Sequence, residues 1–237
     1  MSDHYWISEA QVERIKPYFP RPHGRPRVDD RRVISGIIHV IRNGLRWRDA
    51  PAVYGPSKTL YNRFIRWSKA GVFNRIFATL AAMSEATGAV MIDATHLKAH
   101  RTAASLLKGV FPVVSGDKGR PELQAARVCD ADGKPLILLL TEGQVSDYRG
   151  AATMLPSLPD ADMLIADKGY DSDWFREALA SLGIEPCIPG RSGRNEPVKY
   201  DEQAYKRRNR IERMFGRLKD WRRIATRYDR CAHAFMS

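Results

Sequence analysis

The stretch LQAARVCDADGKPLILLLTEG, residues 123–143, decides the fold class of the second half of the chain. Two strand-like runs flank Asp132-Gly133, a pair suited to a hairpin turn because glycine accepts the positive φ that such turns require. The stretch therefore predicts two antiparallel strands. Outward from it, AVMID at 89–93 and DMLIAD at 162–167 are further strand-like runs, and IEPCIP at 184–189 is another. DSDWFREALASLG at 171–183 has helical apolar spacing, GRSGRNEPVKYD at 190–201 is a loop, and the basic stretch from Tyr205 to Trp221 is a final long helix. Strands followed by alternating helix and strand imply a mixed α/β sheet over residues 87–237.

Residues 1–86 have a different texture. Ser8 and Gln11 form a capping box before a short helix. Val33, Ile34, Ile37, Ile38 and Ile41 then follow helical spacing after Asp29 and Asp30, and Asn43-Gly44 supplies a stop. Ser57 is placed to cap a third helix with Leu60, Phe64 and Trp67 inward and Lys58, Asn62, Arg63, Arg66 and Lys69 outward. Gly71 ends it, and a fourth helix carries Phe73, Ile76, Phe77 and Leu80. This outline is that of an all-helical, helix-turn-helix-type DNA-binding domain.

Lys and Arg total 39 against 27 Asp and Glu, giving a formal charge of +12 and a pI near 9.8. Such a surface favours a polyanion, either nucleic acid or an acidic membrane face. Apolar runs such as PLILLL at 135–140 fall far short of the roughly 20 residues that span a bilayer, and MSDHYWISEA carries no signal-peptide pattern, so a cytoplasmic protein without membrane association is expected. Cys129, Cys187 and Cys231 are widely separated and form no CxxC pair, which leaves reduced, inert thiols as the expectation.

Asp93 follows the apolar run VMI and Asp167 follows MLIA, which places each carboxylate at a strand end, where an active-site crevice commonly lies. Taken singly, each is equally suited to be a turn or cap residue. At 100° per residue, Tyr205, Arg208, Glu212 and Lys219 fall at about 0°, 300°, 340° and 320° on the last helix, so they share one strip. Ile211, Met214 and Leu218 form a separate apolar face that can aim Glu212 at the two aspartates, while Lys206, Arg213 and Arg217 form a third, basic face suited to solvent or DNA backbone. Carboxylates of this kind suit hard divalent cations. His96 and His100 have the HxxxH spacing that on a helix could hold zinc, but no third soft ligand is evident, and hydrogen-bonding or phosphate-contacting roles are the commoner fate of such residues. HGRPR at 23–27 offers Arg25 and Arg27 as a minor-groove arm, or else is a plain linker.

The pattern Tyr205-x2-Arg208-x3-Glu212-x6-Lys219 resembles the signature around the catalytic Glu of insertion-sequence DDE transposases. MIDATHLKAH at 91–100, LIADKGYDSDW at 164–174 and GRPR with GLRWRDAP at 24–27 and 44–51 are similar to the insertion-sequence-five family. The resemblance spans almost the whole chain. It implies a ribonuclease H-like fold for residues 87–237 and a catalytic triad of Asp93, Asp167 and Glu212 that holds two Mg²⁺ ions, with Mn²⁺ able to substitute. Asp93 would bridge both ions, and Asp167 and Glu212 would each support one. The implied reaction cleaves double-stranded DNA at the element's terminal inverted repeats and joins the 3′ ends to target DNA, in a homodimer or larger assembly. Tyr205, Arg208 and Lys219 would hold phosphates beside the site, Arg213 and Arg217 the DNA backbone, and Lys58, Arg63 and Arg66, with Arg25 and Arg27, the element ends. A DNA-binding repressor derived from a transposase and a stand-alone metal-dependent nuclease are the alternatives. The chain departs from the family in the apolar stretch SLLKGVFPVVSGDKGRPELQAARVCD and in its end at Ser237, where relatives generally continue.

Overall fold

The computed structural model describes residues 4–21, 29–83, 88–99, 122–142, 147–227 and 234. Arg25, Arg27 and His100 lie outside the described residues. The chain forms two compact units: Met1–Thr79 with Ala99–Pro112 and Leu218–Ser237, and Leu80–Lys98 with Val113–Arg217.

The first unit is helical. Helix α1 (Glu9–Ile15) starts from the expected capping box, in which the Gln11 amide donates to Ser8 Oγ at 3.2 Å and the Ser8 amide donates to Gln11 Oε1 at 3.0 Å. Helix α2 (Asp30–Asn43) is capped by Asp29 and stops at Gly44, whose φ of 70° is left-handed. Helix α3 (Ser57–Lys69) buries Leu60, Phe64 and Trp67, the side chains its periodicity selects. Ser57 is the first helical residue and not the cap. The preceding Pro56 takes that place, its extended backbone letting its carbonyl accept from the Thr59 and Leu60 amides. Helix α4 (Val72–Ala82) follows Gly71, which has a φ of 65°. Phe19 stacks on Trp67 with ring centroids 4.4 Å apart, closing the core over α2 and α3.

One expectation on α3 is corrected. Helix periodicity places Arg63 on the exposed face of α3, but its side chain is only 14% exposed, pairs with Asp30 at 2.8 Å and lies over the Trp67 ring. The reason is local: Trp67 sits one turn on, and Asp30 opens the neighbouring helix, so the guanidinium is drawn inward by an aromatic face and a carboxylate together. Lys58, Arg66 and Lys69 stay exposed.

The second unit holds a mixed sheet of β1 (Ala89–Ala99), β2 (Glu122–Cys129), β3 (Pro135–Glu142), β4 (Met163–Ile165) and β5 (Glu185–Cys187). Their order is β3-β2-β1-β4-β5, with β1, β2 and β3 antiparallel and β4 and β5 parallel to β1. An antiparallel three-strand meander extended by two parallel strands is the ribonuclease H-like arrangement expected for this half. The β2–β3 hairpin exists, but its connection spans Asp130–Lys134, because buried Asp130 organises it by accepting from the Asp132 and Lys134 amides at 2.9 and 2.8 Å. Helices α5 (Asp147–Met154) and α6 (Asp173–Ser181) follow β3 and β4, and Val90, Ile92, Val128, Leu164, Tyr170, Phe175, Leu179 and Ile188 fill the core on one sheet face.

The expected long C-terminal helix is broken. It consists of α7 (Glu202–Tyr205), a 3-10 turn over Lys206–Arg208, and α8 (Asn209–Lys219). Ile211, Met214 and Phe215 are buried, so the apolar face is wider than the predicted stripe, and Leu218 is half-buried. A further short helix, α9 (Arg222–Ala225), belongs to the first unit, where buried Arg223 donates to the Leu45 carbonyl at 2.9 Å and stacks over Trp47. Among the described residues no helix is long and apolar enough to cross a membrane. Cys129 and Cys187 are free and buried, and burial pushes the Cys129 thiol up to about 12.

Gly44 joins α2 to α9. A Cβ at this position would lie 2.7 Å from the Cβ of Arg222, and the backbone is already left-handed. Gly44→Ala is expected to lower stability by about 2 kcal/mol, since it combines left-handed strain with displacement of α9. Denaturant unfolding measures this: an unchanged midpoint refutes the contact.

Candidate active site

Strand register brings the two aspartates together. The parallel β1–β4 ladder ends at the pair Met91 and Ile165, and Asp93 and Asp167 each stand two residues beyond it. Equal offsets keep both on the same sheet face, since side chains two residues apart along a strand point the same way. That face is opposite the one filled by Val90 and Ile92. Asp93 does not end its strand, as the sequence suggested: β1 continues to Ala99, and Asp93 pairs with Arg127 of β2. It is β4 that ends early and opens the edge. Asp167 has extended backbone and caps the 3-10 turn Lys168–Tyr170, accepting from the Gly169 amide at 2.8 Å.

Glu212 comes from the first turn of α8, which lies on the same face, because Arg127 stacks its guanidinium 4.9 Å from the Phe215 ring. Arg208 then ties the three acids together. One terminal nitrogen is 3.2 Å from Asp93 Oδ2 and 3.9 Å from Asp167 Oδ2, and the other donates to Glu212 Oε1 at 2.6 Å. The 3-10 turn ending at Arg208 sets this geometry, delivering the guanidinium inward just before α8 starts. Side-chain exposure rises from 15% at Asp93 through 36% at Asp167 to 54% at Glu212, so the site runs from the sheet toward solvent.

The electrostatics follow from burial. Burial pushes the Asp93 carboxyl up, Arg208 and the Ala94 amide oppose it, and the charges of Asp167 and Glu212 add to it. Arg208 is held above its usual value: burial disfavours its charge, but Asp93, Asp167 and Glu212 outweigh that cost. Its Nε is buried without a hydrogen-bond partner among the described residues. Burial pushes the Tyr205 hydroxyl up, Arg208 opposes this, and the charges of Asp167 and Glu212 add to it.

The donor set is all carboxylate oxygen and carries three negative charges against one guanidinium, which suits hard divalent cations. Among the described residues no three His, Cys, Asp or Glu converge as a ready-made ion cage. The acids converge on Arg208 instead. His96 lies in strand β1, so HxxxH does not have the helical geometry that a zinc pair needs, and the side chain of His96 lies outside the described residues. Arg213 and Arg217 are exposed on α8, and Lys219 is exposed at its end, in the first unit.

Two features escaped the sequence reading. Arg127 is buried at 6% exposure, its Nε has no hydrogen-bond partner among the described residues, and burial lowers it to about 10. Asp171, with a fully buried side chain, accepts from Arg176 Nε at 2.8 Å and from the Arg191 amide and Arg194 Nε at 2.7 Å each. The Arg191 guanidinium reaches back to the Lys168 and Gly169 carbonyls at 3.2 and 2.8 Å, clasping the turn that Asp167 caps. The only sequence signal was an acid four residues after Asp167 and an Arg-Gly-rich loop at 190–195.

The sheet has the strand order β3-β2-β1-β4-β5, and three carboxylates meet at Arg208 on one of its faces. A model for the transposase DDE domain matches residues 85–236, and a model described as a transposase of the IS4/5 family matches residues 7–77. The chain belongs to the IS4/5-type DDE transposases, enzymes of the DNA transposase class that in general use divalent metal ions. It is similar to a Brucella ovis protein assigned as the transposase of insertion element IS6501, with 37% identity over 110 residues, 46% of this chain and 85% of that one. A Burkholderia cepacia protein assigned likewise to IS402 is 31% identical over 127 residues, covering 49% of this chain and 58% of the relative. Among solved structures, a piggyBac transposase synaptic complex with hairpin DNA aligns over 78% of this chain and 48% of its own, at 9% identity and a TM-score of 0.42. A pre-cleavage Mos1 transpososome aligns over 92% and 85%, at 10% identity and a TM-score of 0.28. At this level of likeness, strand order and not superposition defines the fold.

Hydrogen bonds from Arg194, the Arg191 amide and Arg176 outweigh the effect of burial on Asp171 and hold its carboxyl at about 2, below the ordinary 3.8. A depressed folded value stabilises above the unfolded value and is lost as pH falls through the folded one. The contribution, on the order of 2 kcal/mol, is therefore present at pH 7 and disappears between about pH 4 and pH 2. Asp171→Asn should be less stable at pH 7 by at least this amount, with the gap closing across that window. A pH-independent gap in denaturant titrations contradicts the assignment.

Proposed function

We propose that this transposase binds the terminal repeats of an insertion element, cleaves the DNA and joins the freed 3′ ends to target DNA, using two Mg²⁺ ions held by Asp93, Asp167 and Glu212. The observation that carries this reading is the convergence of the three carboxylates, drawn from β1, the end of β4 and α8, on the single guanidinium of Arg208. Bound divalent ions would activate the attacking oxygen and neutralise charge developing on the leaving one.

The protein's own groups divide the remaining work. Asp93, the most buried of the three acids, would be the ligand shared by both ions, with Asp167 and Glu212 each supporting one. Arg208 occupies the centre of the acid cluster as its counter-charge, and when cations take that charge over, its fork is free to pair with a phosphate. Tyr205, kept protonated, lines the same edge as a donor to phosphate oxygen. Arg213 and Arg217 project from α8 away from Ile211 and Met214 and suit the DNA backbone, as does Lys219 at the end of the helix. On α3, Arg66 suits element-end recognition, and Lys58 and Lys69 suit phosphate contacts. The net charge of +12 fits a DNA duplex as the partner. Joining two ends requires two copies of the site, which favours a homodimer or larger assembly.

Asp93→Asn, Asp167→Asn and Glu212→Gln each remove a charged ligand with little change in volume. Each should cut cleavage and strand transfer by at least about 10³-fold while leaving element-end binding nearly intact. The check is single-turnover cleavage and joining of labelled ends in Mg²⁺, beside a binding assay. Wild-type turnover by any of the three removes that residue from the site, and cleavage without joining in the parent protein would make it a nuclease.

Replacing Arg213 and Arg217 together with Gln should weaken binding to all DNA sequences. The slope of log affinity against log salt should fall by up to roughly two, one counterion per lost phosphate contact. Turnover at saturating protein should change little. An unchanged slope in a salt titration would show that this face meets solvent only.

A further inference from the structure

Of the three acids, Asp167 has the least support from regular structure. Asp93 is held by ladder pairing on β1 and Glu212 by the buried face of α8, but Asp167 lies beyond the last β4 pair, at the head of a 3-10 turn. That turn has no apolar anchor of its own except Tyr170. What fixes it is polar. Arg191 grips the carbonyls of Lys168 and Gly169, and Asp171, at the end of the turn, is bound by Arg176, Arg194 and the Arg191 amide. Arg176 also donates to the Ile188 carbonyl at 2.6 Å, just past β5, which ties α6, the turn and the loop after β5 into one unit.

We propose that Arg191 and Asp171 are positioning residues for Asp167: together they lock the turn that aims its free carboxylate oxygen into the acid cluster. This rests on Asp167 being a metal ligand, as set out above. The division of labour within Asp167 supports it. Oδ1 is committed to the Gly169 amide inside the turn, and Oδ2 faces Arg208. Any slackening of the turn rotates the carboxylate as a whole, so the clasp on the Lys168 and Gly169 carbonyls controls the direction of Oδ2 without touching it. Outer groups that orient a ligand typically account for 10- to 100-fold in metal affinity.

The experiment uses the full chain with Arg191→Met, Arg191→Lys, Asp171→Asn and Asp167→Asn. Three quantities are measured: Mn²⁺ affinity by calorimetry with the metal alone, amide hydrogen exchange of the metal-free protein, and the thermal midpoint. Arg191 is exposed, so Arg191→Met should keep its thermal midpoint close to the parent. Its Mn²⁺ affinity should fall roughly tenfold, and exchange at Gly169 and Tyr170 should quicken while α8 stays protected. Arg191→Lys, which can reach one carbonyl but not fork across two, should fall between. A merely structural role would not produce exchange confined to the turn together with a loss of Mn²⁺ affinity.

Parent-like Mn²⁺ affinity and parent-like Gly169 protection in Arg191→Met overturn the proposal. So does a loss of affinity accompanied by equal deprotection of α8. If Asp167→Asn itself binds Mn²⁺ like the parent, the metal role of Asp167 fails, while local exchange in Arg191→Met and Asp171→Asn still decides whether these residues hold the turn.

Discussion

Three carboxylates facing one crevice repel one another, and the protein has to hold them there through folding. Arg208 answers that repulsion. Its two terminal nitrogens reach Asp93, Asp167 and Glu212 together, and its own protonation is secured by the acids it neutralises. The break between α7 and α8 follows from this demand, since a 3-10 turn over Lys206–Arg208 delivers the guanidinium inward. The same electrostatics suit the proposed chemistry: with divalent ions held by the acids, the Arg208 guanidinium would be left to pair with a phosphate.

Rigidity around this cluster is unequal. Asp93 is part of the ladder, and Glu212 rides on a helix whose face buries Ile211, Met214 and Phe215. Asp167 depends on charged and backbone groups around Asp171. Buried carboxylates are expensive unless each lone pair is matched, and Asp171 is matched by two guanidinium groups and an amide. Arg127 is the opposite case, a buried cation whose Nε has no acceptor among the described residues and whose guanidinium lies over the Phe215 ring. Its cation–π contact joins β2 to α8 on the face that Asp93 shares.

Much of this was legible before any coordinates. The capping box at Ser8, the α2 stop at Gly44, the inward side of α3 and the β2–β3 hairpin all follow from local rules, because each depends on residues within one or two turns. The errors share a cause. Arg63 was read as exposed from its helix face alone, and only the neighbouring helix brought Asp30 to it. Ser57 looked like a cap until the carbonyl of Pro56 took over. The wheel from Tyr205 assumed uniform 100° steps, which a 3-10 turn does not obey.

The sequence by itself determined which groups are candidates for the proposed chemistry: Asp93, Asp167, Glu212 and Arg208 belong to patterns whose spacing is local. It also determined the helical and mixed-sheet character of the two halves, since hydrophobic period is a property of a single element. The tertiary structure alone decided how the groups meet. Equal offsets past the Met91 and Ile165 pair put two aspartates on one face, and the network around Asp171, contributed by segments up to 23 residues apart, holds the second of them. Register and long-range ion pairing depend on which strands and loops become neighbours, and no local pattern encodes the neighbour.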